Sequence, residues 1–386
     1  MAAVNLGLYN RAMDRVMHHR PAEAETDAVP RYDADWIRVL AFASLIIYHA
    51  TSAFKPWGTH LLLIWNDQPF FGATQLVEIV SVWGIPLLFF SLGMGLRLVL
   101  DSRSWRQLAG ELTSGAILPL AFGTFALGPL SLAMAFRYYY GRASYVPTLE
   151  HLWFLGNILI YVLLLLPVLV WVKRRPENWL IRSVGRLVHV GRGLGIVLFA
   201  VPAILVALLV NPIDYTSYAF RLHGFVLGLM LVALGFLLVS SGQRGRLSAE
   251  RWRFAALALC FSLTLVRLLG LWKTPNAVLA LESVSWIIAI WGLVSRHLNR
   301  PSKMLLLLSS AAFPVYVLHL PVQVFISSFL MPMSIHPLPK FLLLAMLTLI
   351  GSFGVYQIAR RVCWVRPLLG MEWNCRRGRL RKSIAL

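Results

Sequence analysis

The chain alternates long apolar stretches with short polar segments that are rich in arginine and lysine. Each stretch approaches the roughly 20 residues that a helix needs to cross the hydrocarbon core of a bilayer. The stretches cover residues 36–54, 76–99, 115–135, 152–172, 194–210, 222–240, 254–272, 278–297, 304–330 and 341–362. The pattern predicts an all-α fold: a polytopic membrane helix bundle with about ten transmembrane helices.

The basic residues between these stretches are unevenly distributed. With a cytoplasmic N-terminus, the inner segments hold 28 Lys and Arg and the outer loops hold 6. Cytoplasmic loops of membrane proteins carry such an excess of positive charge. We therefore expect both termini in the cytoplasm, with an N-terminal segment (1–35), a transmembrane domain (36–362) and a basic tail (363–386).

Composition excludes an ordinary soluble protein, because 58% of the residues are hydrophobic, only 13% are charged and the mean hydropathy is +0.70. The net charge of +20 and the stretch RRGRLRK (376–382) would suit a nucleic-acid-binding protein. Because the basic residues lie beside membrane spans, we expect them to set the topology of the protein and to contact anionic lipid. We expect membrane lipid and no nucleic acid among the partners, and no metal or bound cofactor, since no metal-ligand spacing is present.

The stretch RYDADWIRVLAFASLIIYHA (31–50) leads into the first span, which carries Arg38 near one end and His49 toward the other. Ionisable groups are expensive inside a bilayer and are usually retained for function. A separation of eleven residues is about three helical turns and about 16.5 Å of rise, so both side chains lie on nearly the same face. Taken singly, Arg38 is explained as a topology signal and His49 as a hydrogen bond between helices. Together they favour phosphate binding by the guanidinium and base chemistry by the imidazole.

This stretch resembles the first helix of the acyltransferase 3 family of membrane enzymes, with an Arg, ten intervening residues and a His. Three further stretches resemble that family in the same order: WGIPLLFFSLGMG (83–95), HLWFLGNILIY (151–161) and FPVYVLHLPVQVF (313–325). The resemblance covers nearly all of the chain. The overall pattern is most similar to the glucan biosynthesis protein C type, which is associated with succinylation of periplasmic glucans.

The resemblance implies an O-acyltransferase (EC 2.3.1 type) of the inner (plasma) membrane. Acyl-CoA would be the co-substrate that donates an acetyl or succinyl group. The acceptor would be a hydroxyl of a carbohydrate, such as a periplasmic glucan or a cell-surface polysaccharide.

Candidate site residues follow from the motifs and from the charge map. For catalysis we expect His49, as general base or transient acyl carrier, together with Arg38, and Glu78 as the carboxylate that orients His49. The candidates for donor binding are Asp35, Arg38, Arg97, Arg103 and Arg106. Those for acceptor binding are His151, Trp153 and His319.

Several of these residues also have a purely structural explanation. Glu78 lies near a membrane interface, where a carboxylate is often simply solvated, and Trp153 suits an interfacial aromatic belt. His319 is explained first as a hydrogen-bonded packing residue, and as a proton relay if it faces a cavity. For Arg267 and Glu282, at the outer ends of adjacent spans, we expect a mutual ion pair.

One segment departs from the family pattern. Family members often carry an arginine pair just before a proline after the second span, whereas this chain reads ELTSGAILPL (111–120). The departure keeps open an inactive scaffold for polysaccharide export. A multi-span transporter is the other alternative, since buried ionisable groups and proline-broken helices also serve transport.

Overall fold

The structure, a computed structural model, describes residues 31–55, 63–100, 107, 113–175, 178–271 and 273–372. This part of the chain is 80% helical and contains no strand, which confirms the all-α prediction. Most of the N-terminal segment (1–35) and of the basic tail (363–386) lies outside the described residues, so both divisions stay predictions. The cytoplasmic location of the termini also stays a prediction.

Each of the ten predicted spans overlaps helical structure. The helices are α1 (Tyr32–Ser52), α2 (Ala73–Leu100), α3 (Gly115–Tyr140), α4 (Glu150–Arg174), α5 (Trp179–Gly193), α6 (Ala200–Val210), α7 (Leu222–Ser240), α8 (Gln243–Leu268), α9 (Asn276–His297), α10 (Lys303–Leu330) and α11 (Pro337–Ala359). Short helical turns begin α4 (Glu150–Leu152) and lead into α6 (Leu194–Phe199).

Eight helical runs in the described residues are long and apolar enough to cross a membrane, with α5 and α6 forming one of these runs (Trp179–Val210). Helices α1 and α8 are long enough but more polar, because α1 opens with Asp33, Asp35 and Arg38 and α8 opens with an arginine-rich half. The bundle exposes large apolar side chains such as Leu163 (67%) and Leu209 (83%). Such a surface suits lipid rather than water, and the chain is a multi-pass membrane protein.

Helix α5 is amphipathic and was not predicted as a separate element. Its start is capped by Asn178, whose side chain accepts a hydrogen bond from the backbone N–H three residues later. Val184 and Val188 are buried on one face, and Arg182 and Arg186 are exposed. This distribution is typical of a helix that lies along a membrane surface.

Two glycines let α2 and α7 approach closely. A Cβ atom at Gly93 would collide with the backbone carbonyl of Val232, and one at Gly235 would collide with the carbonyl of Phe90. Small residues allow this kind of backbone contact between membrane helices. Helix α2 carries part of the site described below, so this contact helps to fix its position.

We expect Gly235→Ala to destabilise the protein by about 1–3 kcal/mol, because the added methyl group would force the backbones of α2 and α7 apart. Thermal unfolding of the purified protein in detergent measures the change. Gly354→Ala is the matched control, since a Cβ there meets nothing within 4 Å. Equal unfolding midpoints for the two variants would contradict a tight α2–α7 contact.

Candidate active site

Arg38 lies at the basic end of the bundle, the end at which α1 begins, α9 ends and α10 begins. Its Nη2 atom donates hydrogen bonds to Asp35 Oδ1 and to Ser309 Oγ, each at 2.8 Å. The side chain of Arg38 is 14% exposed and that of Asp35 is 39% exposed. Asp35 thus forms an ion pair with Arg38, and Ser309 ties the pair to α10.

Asp33 fastens the same end of α1 to α9. It has no exposed surface, and its Oδ2 atom accepts hydrogen bonds from Trp291 Nε1 and Ser295 Oγ, both at 3.0 Å. A buried carboxylate with two donors is stabilising in a medium of low dielectric constant. Sequence reasoning missed Asp33, because its partners lie more than 250 positions away; the only signal was a second aspartate beside the start of a membrane helix.

A cleft of about 680 Å³, including space open to solvent, begins at Asp35 and Arg38. Residues of α1, α2, α3, α4 and α10 line it, and apart from Asp35, Arg38 and Ser91 the lining is apolar or glycine. Gly115 and Ala116 of the unusual ELTSGAILPL stretch are part of this lining. The family often has arginines in this stretch. Here the residues of the stretch that line the cleft carry no charge.

Tyr316 of α10 closes the aromatic part of the cleft. Three aromatic lining residues contact its ring, with centroid distances of 5.0 Å for Phe42, 5.9 Å for Phe313 and 6.1 Å for Phe154. The tyrosine is 1% exposed, and its hydroxyl donates a hydrogen bond to the backbone carbonyl of His151 at 2.9 Å. Tyr316 thus contacts both the aromatic lining of the cleft and the start of α4.

A cluster of three histidines lies next to Tyr316 and consists of His49, His151 and His319, from α1, α4 and α10. The ring centroids are 4.7 Å apart for His151 and His319, 5.2 Å for His49 and His319, and 6.4 Å for His49 and His151. All three are buried, with exposures of 7%, 6% and 0% in chain order. The structure thereby brings together residues that the sequence assigned separately to catalysis and to acceptor binding.

One backbone carbonyl orients two of these imidazoles. Tyr316 O accepts a hydrogen bond from His151 Nε2 at 3.0 Å and from His319 Nδ1 at 2.6 Å. Pro314 and Pro321 interrupt α10 on either side, and a proline removes one helical N–H and bends the helix. Since a carbonyl only accepts, each contacting nitrogen carries the proton, and the other ring nitrogen is left with a lone pair.

The second ring nitrogens are His151 Nδ1 and His319 Nε2. Neither makes a hydrogen bond within the described part of the chain. The same holds for His49 Nδ1. Buried polar atoms without partners are uncommon, and at a functional site they mark where a substrate or water binds. The histidine cluster therefore has the capacity to exchange a proton with a bound group.

Glu150 lies directly beside the cluster, and sequence reasoning assigned it no role. Its Oε2 atom is 4.0 Å from His151 Nδ1, and both side chains are 2% exposed. Its backbone has φ 41°, a left-handed conformation that is strained for a residue with a side chain. The strained turn at the start of α4 directs a carboxylate and an imidazole into the bundle from consecutive positions.

Gln323 links the cluster to α1. It has no exposed surface, and its Nε2 atom donates a hydrogen bond to the carbonyl of His49 at 2.9 Å. Tyr316, His319 and Gln323 follow one another at spacings of three and four residues, so they share one face of α10. This periodicity was the signal from which Tyr316 and Gln323 were predictable.

The remaining predicted residues are distributed differently. Glu78 lies beside Arg267, with Oε2 3.7 Å from Nη1, and among the described residues it makes no hydrogen bond to His49. Trp153 packs against Phe89, with ring centroids 6.3 Å apart. Arg97 is partly buried in α2 between Gly95 and Leu98, both of which line the cleft. The candidates Arg103 and Arg106 lie outside the described residues.

Two tyrosines in the loop between α6 and α7, Tyr215 and Tyr218, form a separate aromatic cluster with His223. Their ring centroids lie 4.7 and 6.0 Å from that of His223, which is 1% exposed. Burial raises the pKa of both tyrosine hydroxyls, so they stay protonated at neutral pH. We assign this cluster to packing of the loop.

Comparison with known proteins identifies one family. A family model described as an acyltransferase domain matches residues 31–357. The matched range includes Arg38, the cleft and all three clustered histidines. Neither a curated protein nor a solved structure matches the chain significantly.

Proposed function

Because the chain belongs to the acyltransferase 3 family, we propose that it moves an acyl group from acyl-CoA to a hydroxyl of a carbohydrate. Acetyl and succinyl groups are the candidate acyl groups. A periplasmic glucan or a cell-surface polysaccharide is the candidate acceptor, and the plasma membrane is the proposed location.

The observation that carries this proposal is the order of groups through the bundle. A cation, Arg38, is part of the lining of a largely apolar cleft, and the aromatic lining residues Phe42 and Phe313 contact Tyr316. The ring of Tyr316 also contacts those of His151 and His319, with centroid distances of 5.3 and 6.1 Å. This order suits a long donor with a charged head, an extended arm and a reactive end.

Donor binding would begin at the basic end. Arg38 offers a planar fork of donors that matches phosphate oxygens, and Asp35 and Ser309 hold the fork in place. Arg97 lies close enough to the cleft to add positive charge. Because the stretch 111–120 contains no basic residue where the family often has an arginine pair, we expect weaker donor binding than such a pair would give.

Acyl transfer would take place at the histidine cluster. His49 acts there either as the base that accepts the proton of the acceptor hydroxyl or as a transient carrier of the acyl group. His151 begins α4 and His49 lies near the end of α1, so both are at the bundle end opposite Arg38. A carbohydrate that approaches from that end would meet the acyl group without entering the donor cleft.

The test is donor-dependent release of CoA by the purified protein in lipid nanodiscs. We expect free thiol to accumulate over many turnovers with acetyl-CoA or succinyl-CoA only when a glucan acceptor is present, and the acyl group to be recovered on the glucan. Nanodiscs without protein are the control for spontaneous hydrolysis. A folded protein that releases no CoA from either donor would contradict the proposal, and solute uptake that collapses with the pH gradient would favour a transporter.

A further inference from the structure

We propose that His319 is a second catalytic histidine, whose Nε2 atom accepts the proton of the acceptor hydroxyl. The inference rests on the proposed acyl transfer and assigns the base within the histidine cluster. It goes beyond the predictions of an acceptor contact, a packing residue or a proton relay, because it names the proton that moves and the nitrogen that accepts it.

The first argument is the fixed protonation of the ring. His319 Nδ1 lies 2.6 Å from the carbonyl of Tyr316, one helical turn earlier, and must donate to it. Nε2 of a neutral imidazole is then the bare nitrogen. A carbonyl thus sets the tautomer here, in the way that a carboxylate orients the base of a catalytic triad.

The second argument is the surroundings of the bare nitrogen. His319 has no exposed surface, and within the described chain its Nε2 atom makes no hydrogen bond. The titratable groups that contact its ring are His49 from α1, His151 from α4 and Tyr316 on its own helix, and Glu150 lies beside His151. A lone pair that is buried and without a donor is a natural place for a hydroxyl proton.

Comparison with the other two histidines favours His319. The bare Nδ1 of His151 faces the carboxylate of Glu150 at 4.0 Å, so that nitrogen already has an ionisable neighbour. No hydrogen bond in the described residues sets the tautomer of His49, whose Nδ1 atom has no partner. Of the three, His319 combines a tautomer that is set by a hydrogen bond with a bare nitrogen that has no ion-pair partner among the described residues.

The proposed step is balanced in atoms and charge. The hydroxyl proton passes to His319 Nε2 while the hydroxyl oxygen forms a bond to the acyl carbon. The bond from that carbon to its leaving group breaks, and the leaving group, either the sulfur of CoA or a nitrogen of His49, takes a proton back from the imidazolium. In a transfer through His49, a ring nitrogen of His49 first attacks the thioester carbon, the carbon–sulfur bond breaks, and the thiolate takes the proton that the ring releases. The same assignment of His319 therefore serves a direct transfer and a transfer through His49.

His319→Asn is the decisive variant. The asparagine amide takes the place of Nδ1 and keeps the donor to the Tyr316 carbonyl, but it supplies no base where Nε2 lay. We expect acceptor-dependent CoA release to fall by about 10²–10⁴-fold, the usual contribution of general base catalysis, with the KM for acyl-CoA unchanged. The rise of kcat/KM with pH that a histidine base causes is expected to disappear.

His319→Gln is the second variant, because its amide reaches the place of Nε2 and also lacks a base. His223→Asn is the matched control, since it replaces another buried histidine that lies outside the cluster, and it should retain wild-type release. Thermal unfolding identifies which variants are folded. Any folded His319 variant that retains a third of the wild-type rate, or the wild-type pH profile, overturns the inference, whereas an inactive wild-type protein would instead contradict the proposed function.

Discussion

His49→Ala is expected to lower acceptor-dependent CoA release by about 10²–10⁴-fold, because its imidazole carries the acyl group, or accepts the hydroxyl proton if His319 does not. Among the described residues, no hydrogen bond holds its Nδ1 atom, and Gln323 bonds the backbone carbonyl rather than the ring. Removal of the imidazole therefore leaves that carbonyl bonded. The effect should appear in kcat and not in the amount of folded protein.

Steady-state release of CoA in nanodiscs measures this effect, and His49→Gln accompanies it as a variant that preserves most of the side-chain volume. Both variants should lose activity equally, because neither amide nor methyl group accepts a proton or carries an acyl group. Acid-quenched samples with labelled donor then separate the two roles, since only an acyl carrier leaves label on the wild-type protein. Wild-type rates in folded His49 variants would place the chemistry elsewhere.

Arg267→Leu is expected to destabilise the protein by about 3–5 kcal/mol, because it leaves a buried carboxylate without its cation. Arg267 Nη2 and Nε donate to the two oxygens of Glu282 at 2.8 and 3.1 Å. Thr264 Oγ1 donates a further hydrogen bond at 2.7 Å to Glu282, which has no exposed surface. The predicted ion pair between α8 and α9 is thus confirmed.

Two further variants make this result specific. Glu282→Leu should cost less, because Arg267 remains partly exposed at 11% and keeps Glu78 at 3.7 Å. The double variant Arg267→Leu with Glu282→Leu should recover much of the stability, since a buried pair is often replaceable by apolar side chains. Unfolding midpoints in detergent give the order, and an Arg267→Leu protein as stable as the double variant would contradict it.

Local patterns predicted the features that depend on neighbouring residues. Asp35 and Arg38 are three residues apart, so a helix alone brings them together, and the structure confirms the pair. Arg267 and Glu282 lie at the facing ends of consecutive helices, where a short connection forces proximity. In the first case the spacing within one helix decides the contact. In the second case the short connection between two helices decides it.

Contacts between distant helices were not predictable in this way. Glu78 was expected beside His49, since both lie toward the same end of the bundle, but rotation of α2 places it against Arg267. The position of a helix across the membrane follows from its hydropathy. Its rotation about its own axis depends on how it packs against neighbouring helices. For the same reason Asp33 could be read as a polar residue near an interface but not as the partner of Trp291.

The sequence by itself determined that this protein is a multi-pass helical membrane protein of the acyltransferase 3 family, with Arg38 and His49 on one face of its first helix. Apolar length and motif order are properties of the chain, so they need no knowledge of packing. Only the tertiary structure decided that His49, His151 and His319 form one cluster next to Tyr316. Three helices from both halves of the chain must pack together, around a proline-bent segment of α10, before those imidazoles can share a site.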